Sequence, residues 1–299
     1  MSAVQLGQYG PATHLIAHIS DTHFLGGGQA LFGAVDTDTT VYMAMAQLER
    51  SGLRPDALVF TGDIADRGEA AAYRRVRDIV ESAAERMGAP VIWVMGNHDK
   101  REAFRTELLR EERSTAPVDR VFDIGGVRII ALDTSVPGYH HGDLSDAQLV
   151  WLSDVLSEPA PHGSLLALHH PPVPTMLPLM DILELRHQAR LAEVVTGSDI
   201  RGILGGHLHY ATTGLFAGIP VSVAAATCYT VDLTAPRDSL NGMQGGQSIN
   251  LVHVYDNQIV HSHVALGEFP AATGFDAAFL TRMEALTPDE RTEAFSRQV

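Results

Sequence analysis

Short apolar runs alternate with longer stretches of helical period through the first third of the chain. Residues 14–20 (HLIAHIS), 56–63 (DALVFTGD) and 90–97 (PVIWVMGN) read as strands. Between them, 35–52 and 69–88 carry apolar positions at helical spacing and stop at Gly52 and Gly88. A glycine there lets the backbone leave a helix through a left-handed turn. Strands separated by helices imply right-handed crossovers and a largely parallel sheet.

The pattern then changes. Residues 121–133 (VFDIGGVRIIALD) predict a tight hairpin over Gly125 and Gly126. A helix follows over 144–158, with Ser145 as N-cap and Gln148 closing a capping box. Strands are expected at 164–170 and 201–209, with a helix inside 181–197. Two later hairpins turn at Gly218-Ile219 and at Asp256-Asn257. Strands in both halves predict an α/β fold, a four-layer αββα sandwich of two mixed sheets flanked by helices.

That domain is expected over 1–267, with 268–299 as a C-terminal extension. Thr287, Pro288 and Glu290 make a helix start within the extension. Its Phe275, Phe279, Leu280 and Met283 would cover the body, a second copy or a membrane surface. Two loops, 24–34 and 170–180, follow strand ends and are either surface connections or walls of a substrate site.

Charge narrows the partners. With 36 acidic against 21 basic residues, the 299-residue chain has a formal charge of −15, which argues against a polyanion held by counterion release. The lone Cys228 permits no internal disulfide, excludes a thiolate cluster and reads as a small core residue. No apolar run is long enough to span a bilayer and no N-terminal cleavage signal is present, so the expectation is a soluble protein of a reducing cytoplasm.

Polar residues gather where the strands end. Asp21-Thr22-His23, Gly62-Asp63, Gly96-Asn97-His98-Asp99, His169-His170 and Gly206-His207-Leu208-His209 each follow an apolar run. Ligand groups collect beyond the carboxyl ends of strands in an open sheet, so five distant clusters can meet in one crevice. Asp, Asn and His offer oxygen and imidazole donors suited to iron, manganese, cobalt or zinc. One ion has no use for so many donors. Two ions need a charged bridge, and Asp63 is the natural one, with Gly62 and Gly96 allowing close backbone approach. His14, His18, His253, His261 and His263, lying on strand periodicity, read as structural.

The blocks DTHF (21–24), GDIADRG (62–68), GNHD (96–99), HHPP (169–172) and GGHLH (205–209) closely resemble those of the calcineurin-like metallophosphoesterases. In order and spacing the chain is most similar to the class III cyclic nucleotide phosphodiesterases, the mycobacterial members foremost, over about residues 13–265. The resemblance implies Asp21, His23, Asp63 and His209 on a first ion, and Asp63, Asn97, His169 and His207 on a second. It gives His98 a catalytic role at a phosphoryl oxygen or the leaving group, with Asn97 as a donor beside it. Asp99 would orient His98 or cap the next helix, Asp66 would hold Arg67 or its loop, and His170 would touch substrate or close its strand.

Also implied are iron and manganese, with zinc or two manganese ions as alternatives; a homodimer; and a cytoplasmic location or peripheral contact at the cell envelope. The implied reaction is hydrolysis of 3′,5′-cyclic nucleotides such as cAMP to the 5′-monophosphate, with 2′,3′-cyclic substrates also in reach and no stable nucleic-acid partner. The competing readings are a glycerophosphodiesterase or broad phosphomonoesterase and, from another class, a metal-dependent scaffold.

Overall fold

In the computed structural model, which describes residues 4–236 and 239–298, the apolar runs become strands of two sheets. The order opens with β1 (His14–Ile19), α1 (Thr37–Ser51), β2 (Ala57–Thr61), α2 (Ala70–Met87), β3 (Val91–Val94) and the short α3 (Arg101–Phe104). The hairpin β4 (Arg120–Ile124) and β5 (Val127–Leu132) leads to α4 (Asp146–Leu156), β6 (Ser164–Leu168), α5 (Gln188–Val195) and β7 (Ile200–Gly205). There follow β8 (Thr212–Phe216), β9 (Ile219–Val223), the two-residue strands β10 (Thr230–Val231) and β11 (Gly242–Met243), and the hairpin β12 (Ser248–Val254) and β13 (Ile259–Ala265).

One sheet has the order β13-β12-β1-β2-β3 and the other β4-β5-β6-β7-β9-β8, with β10 and β11 forming a separate pair. Both are mixed: β1, β2 and β3 run parallel, as do β5, β6, β7 and β9, while antiparallel hairpin strands complete the edges. Alternate strand positions feed different cores. Ile16, Val59, Ile92, Ile129, Leu165 and Leu204 pack between the sheets. Ala17, Phe60 and Trp93 face α1 and α2, whereas Leu132, Leu166 and Ile203 join Leu152 of α4 and Leu191 of α5. The predicted αββα sandwich is the fold observed.

Local chemistry sets the element ends. Asp36 caps α1 by accepting from the Thr39 N–H, and Gly52 and Gly88 end α1 and α2 at φ 73° and 74°. Ser145 and Gln148 form the full predicted capping box on α4. One turn differs from expectation: Ile219 already pairs with Phe216, so the tip is Ala217-Gly218, at φ 50° and 81°. Both tip residues are left-handed, as the strand twist of a two-residue hairpin favours. The helix expected inside 181–197 is confined to α5, with a 3-10 turn at Met180–Leu183 before it.

All of this lies in the unit Thr13–Leu266. The segments up to Ala12 and from Gly267 gather into a second unit. There α6 (Ala277–Ala285) is capped by Asp276, and α7 (Pro288–Arg291) starts at a Thr287–Glu290 capping box. The rings of Phe275, Phe279 and Phe295 lie 4.5–5.4 Å apart, centre to centre. Among the described residues, no helix is long and apolar enough to cross a membrane.

Candidate metal centre

Five strands end at one place. Asp21 and His23 follow β1, Asp63 follows β2, Asn97 and His98 follow β3, His169 follows β6, and His207 and His209 follow β7. The structure brings the residues singled out by sequence into one cluster. His23 Nε2 lies 3.5 Å from Asp63 Oδ2, His169 Nε2 3.3 Å from the same oxygen, and His209 Nε2 3.4 Å from Asp21 Oδ1. Asn97 Oδ1 is 3.1 Å from His169 Nε2, and the His207 ring centre is 5.0 Å from that of His169.

The backbone is strained there. Asp21, His23, Asp63, His207 and His209 all have φ between 46° and 69°, a region L-residues avoid. Each such residue costs on the order of 1–3 kcal/mol and persists only where its surroundings over-determine it. Here the Asp21 and His23 N–H groups donate to Gly62 and Asp63 carbonyls, locking the loops after β1 and β2 together. The asparagine–histidine turn is as tightly set, because a Cβ on Gly96 would sit 2.2 Å from the Asp63 backbone nitrogen and Oδ1. Gly62, at φ 91°, would meet the His169 ring at 2.5 Å.

The imidazoles share one hydrogen-bonding pattern. His169 Nδ1 contacts the Thr61 carbonyl (2.7 Å), His207 Nε2 the Leu183 carbonyl (3.0 Å), His209 Nδ1 the Tyr229 carbonyl (3.0 Å) and His23 Nδ1 the Asp66 carboxylate (3.0 Å). Those acceptors require an N–H from the ring, so in the neutral tautomer the other nitrogen keeps its lone pair. For His23, His169 and His209 that nitrogen points at the carboxylates. Such outward tethering fixes tautomer and orientation in metal-binding histidines.

Lone pairs aimed at carboxylates repel unless a cation lies between. Asp21 Oδ1 and His23 Nε2 are buried with no hydrogen-bond partner, as expected of donors reserved for a metal. Burial opposes the charged form of His169, yet the Asp63 and Asp21 carboxylates outweigh it and push the group up to about 9, so a proton is held where a cation would serve. Burial, with repulsion from His169, holds His207 down at about 3. Burial would raise Asp21, but the facing His209 imidazole brings it to about 2. The donor set fits metal ions on this chemistry.

The three ambiguous residues resolve into supports. Asp66 holds His23 through its carboxylate, while its backbone carbonyl contacts His98 Nδ1 at 2.7 Å. Asp99 does not cap α3, whose N-cap is Lys100, and the His98 ring is held by the Asp66 carbonyl instead. Its buried carboxylate accepts from the backbone N–H groups of Ile64, Ala65 and Gly96 and from the Tyr73 hydroxyl, joining the loops after β2 and β3. His170 is buried beneath the site, with Nδ1 2.7 Å from Thr134 Oγ1. Cys228 packs with Leu25, Leu31 and Val35, as its core reading implied, and its sulfur also lies 3.7 Å from His209 Nδ1.

Sequence reasoning passed over His140. The Asn97 amide donates to His140 Nδ1 at 2.8 Å, and the His140 ring lies 5.0 Å from His98. A weaker signal existed: the pair His140-His141 lies on the loop after the strand ending near Asp133, though several residues beyond its end. Above the cluster opens a cavity of about 740 Å³, whose walls include Phe32 and Ala34 of one proposed loop and Met180 of the other.

The calcineurin-like phosphoesterase family profile matches residues 14–211. The chain is 53% identical over 267 residues to a cAMP/cGMP dual specificity phosphodiesterase of Mycobacterium tuberculosis, covering 89% of this chain and 84% of that protein. It is 52% identical over 265 residues to a "Probable cyclic nucleotide phosphodiesterase" of Rhodococcus erythropolis, covering 89% and 88%. A dimetal phosphatase from Danio rerio has the same fold, with a TM-score of 0.62, 16% identity and coverage of 86% of this chain and 98% of that one. The chain belongs to the calcineurin-like phosphoesterase family.

Proposed function

We propose that this protein is a metal-dependent phosphodiesterase that hydrolyses cyclic nucleotides. The observation that carries this reading is the buried cluster in which tethered imidazoles face Asp21 and Asp63, with Asp21 Oδ1 and His23 Nε2 left without a hydrogen bond. Asp21, His23, Asp63 and His209 would hold one ion and Asp63, Asn97, His169 and His207 another, Asp63 being common to both. When bound, such ions acidify water and neutralise charge on phosphate oxygens. The nitrogen and oxygen donors suit iron and manganese, or zinc, and elemental analysis of the active protein distinguishes them.

The remaining work falls to this chain's own groups. His98 is tethered through Nδ1, and its other nitrogen is available to the cavity. Through that nitrogen it would give a proton to the departing alkoxide, which a cyclic diester keeps attached to its sugar. For a 3′,5′-cyclic nucleotide, water oxygen joins phosphorus, the bond from phosphorus to the 3′ oxygen breaks, and a 5′-monophosphate results. The Asn97 amide and His140, held together at 2.8 Å, offer further hydrogen bonds to equatorial oxygens as charge grows there.

Substrate preference follows from the high identity to relatives named for cyclic nucleotides. The test is a panel of specificity constants for 3′,5′-cAMP, 3′,5′-cGMP, 2′,3′-cAMP, a glycerophosphodiester and a phosphomonoester, using metal-loaded protein. Cyclic nucleotides should lead it, and a leading phosphomonoester would overturn the reading. A homodimer in the cytoplasm belongs to the same proposal; light scattering that returned a monomer mass would remove the first part, and recovery in the envelope fraction the second.

A further inference from the structure

We propose that Phe32 and Tyr229 form an edge-to-face aromatic wall against which a flat ring carried by the substrate packs, making ring-bearing phosphodiesters the preferred class; this rests on the phosphodiesterase reading above. Phe32 stands at the tip of a turn closed by the Leu31–Val35 bridge. It has φ 53° and the next residue, Gly33, φ 72°, a pair of left-handed positions that glycine and asparagine fill readily and a bulky aromatic does not. Burial does not offset that strain, since Phe32 is 76% exposed. Its ring instead stands at the cavity mouth, 5.5 Å from Tyr229 at an interplanar angle of 65°.

Tyr229 connects the mouth to the chemistry. Its ring centre is 4.4 Å from that of His209, and ring contacts continue through His23 and His98 to His140 at 5.1, 4.8 and 5.0 Å. A phosphoryl group beside His209 and His98 therefore leaves its organic substituent next to Tyr229 and Phe32. Among the described residues lining this cavity there is no lysine or arginine, and its apolar lining includes Leu183, Val231, Leu240 and Met243. Affinity for the substituent must come from apolar and aromatic contact, which rewards a large flat face. The Gln244 side chain donates to the Ala34 carbonyl at 3.2 Å, tying that lining to the turn that carries Phe32. An aromatic wall of this kind reads the face of a base more than its edge, so adenine and guanine should be accepted alike.

The test uses the full, metal-loaded chain and the variants Phe32→Gly and Phe32→Trp, with 3′,5′-cAMP, 3′,5′-cGMP, bis(p-nitrophenyl) phosphate and the ring-free diester glycerophosphoethanolamine. Phe32→Gly should raise KM for the ring-bearing substrates roughly tenfold, the size expected for one lost stacking partner, with a much smaller effect on kcat. The ratio of kcat/KM between ring-bearing and ring-free diesters should fall by about the same factor, and Phe32→Trp should restore it. Because glycine fits a left-handed backbone, Phe32→Gly should melt no lower than the native chain, separating a binding role from a structural one. Native protein inactive on both nucleotides would overturn the cyclic nucleotide reading alone. Unchanged KM of Phe32→Gly for the aryl diester, or an equal loss on the ring-free diester, would overturn the aromatic wall.

Discussion

Two residues at the site carry distinct duties that substitution can separate. His98 touches the cavity but lies outside the proposed metal set, so His98→Ala should lower kcat by about 10²- to 10³-fold while metal content stays at the native level. A parallel loss of metal would move His98 into the ligand set. Gly96 acts through space alone: a Cβ there would collide with the Asp63 nitrogen and carboxylate at 2.2 Å. Gly96→Ala should therefore lose bound metal and activity together, as read by elemental analysis and turnover, and an active, fully loaded Gly96→Ala would contradict the packing argument. Residue identity made Asp21, His23, Asp63, Asn97, His169, His207 and His209 legible, because acid, amide and imidazole follow apolar runs at a spacing that repeats along the chain. His140 was missed because it lies on a loop some residues past its strand, and its approach to Asn97 depends on the path of that loop. The true partners of Asp99 come from residues 64, 65, 73 and 96, a convergence no local pattern displays.

Elements show the same division between local and distant causes. Capping boxes at Ser145 and Thr287 and glycine stops at Gly52 and Gly88 were readable because each is decided within one turn of chain. The tip of the β8–β9 hairpin was displaced by one residue, since register depends on cross-strand pairing. Histidines on the strands also carry a consequence for the sheet of β1, β12 and β13. Burial, with His261 nearby, holds His18 down at about 3, and burial, with His263 nearby, holds His261 at about 4. Each takes up a proton on unfolding below its usual value of 6.5, so stability is full above that pH and is lost as pH falls toward 4. One such histidine contributes a slope of up to about 1.4 kcal/mol per pH unit. His261→Gln should flatten the dependence of unfolding free energy on pH between 6.5 and 5 by nearly one proton. Denaturant titrations giving the same slope for both proteins would refute this.

At the scale of the molecule, two sheets built from distant segments bring five strand ends to one crevice, and the charge gathered there makes the fold depend on its ions. Sequence pattern was sufficient for the αββα layering because strand and helix periods alternate so regularly. It offered the 24–34 and 170–180 loops as walls, and Phe32, Ala34 and Met180 of those loops do line the cavity, but it could not supply β10 and β11, whose Val231, Gly242 and Met243 come to the same cavity through tertiary pairing. Ions that bind only the folded chain stabilise it by mass action, about 2.7 kcal/mol at a hundredfold excess over Kd. Chelation should thus lower the melting temperature by roughly 5 °C or more, with manganese restoring it. A melting curve indifferent to chelator would mean that the cluster is stable without cations.

The central claim is that Asp63 is shared by two neighbouring ions, and electron paramagnetic resonance of the manganese-loaded protein tests it most directly. Two Mn(II) ions per chain joined through one carboxylate should give an exchange-coupled multiline spectrum that Asp63→Asn weakens or abolishes. Isolated six-line signals at full loading, unchanged by that substitution, would contradict the account.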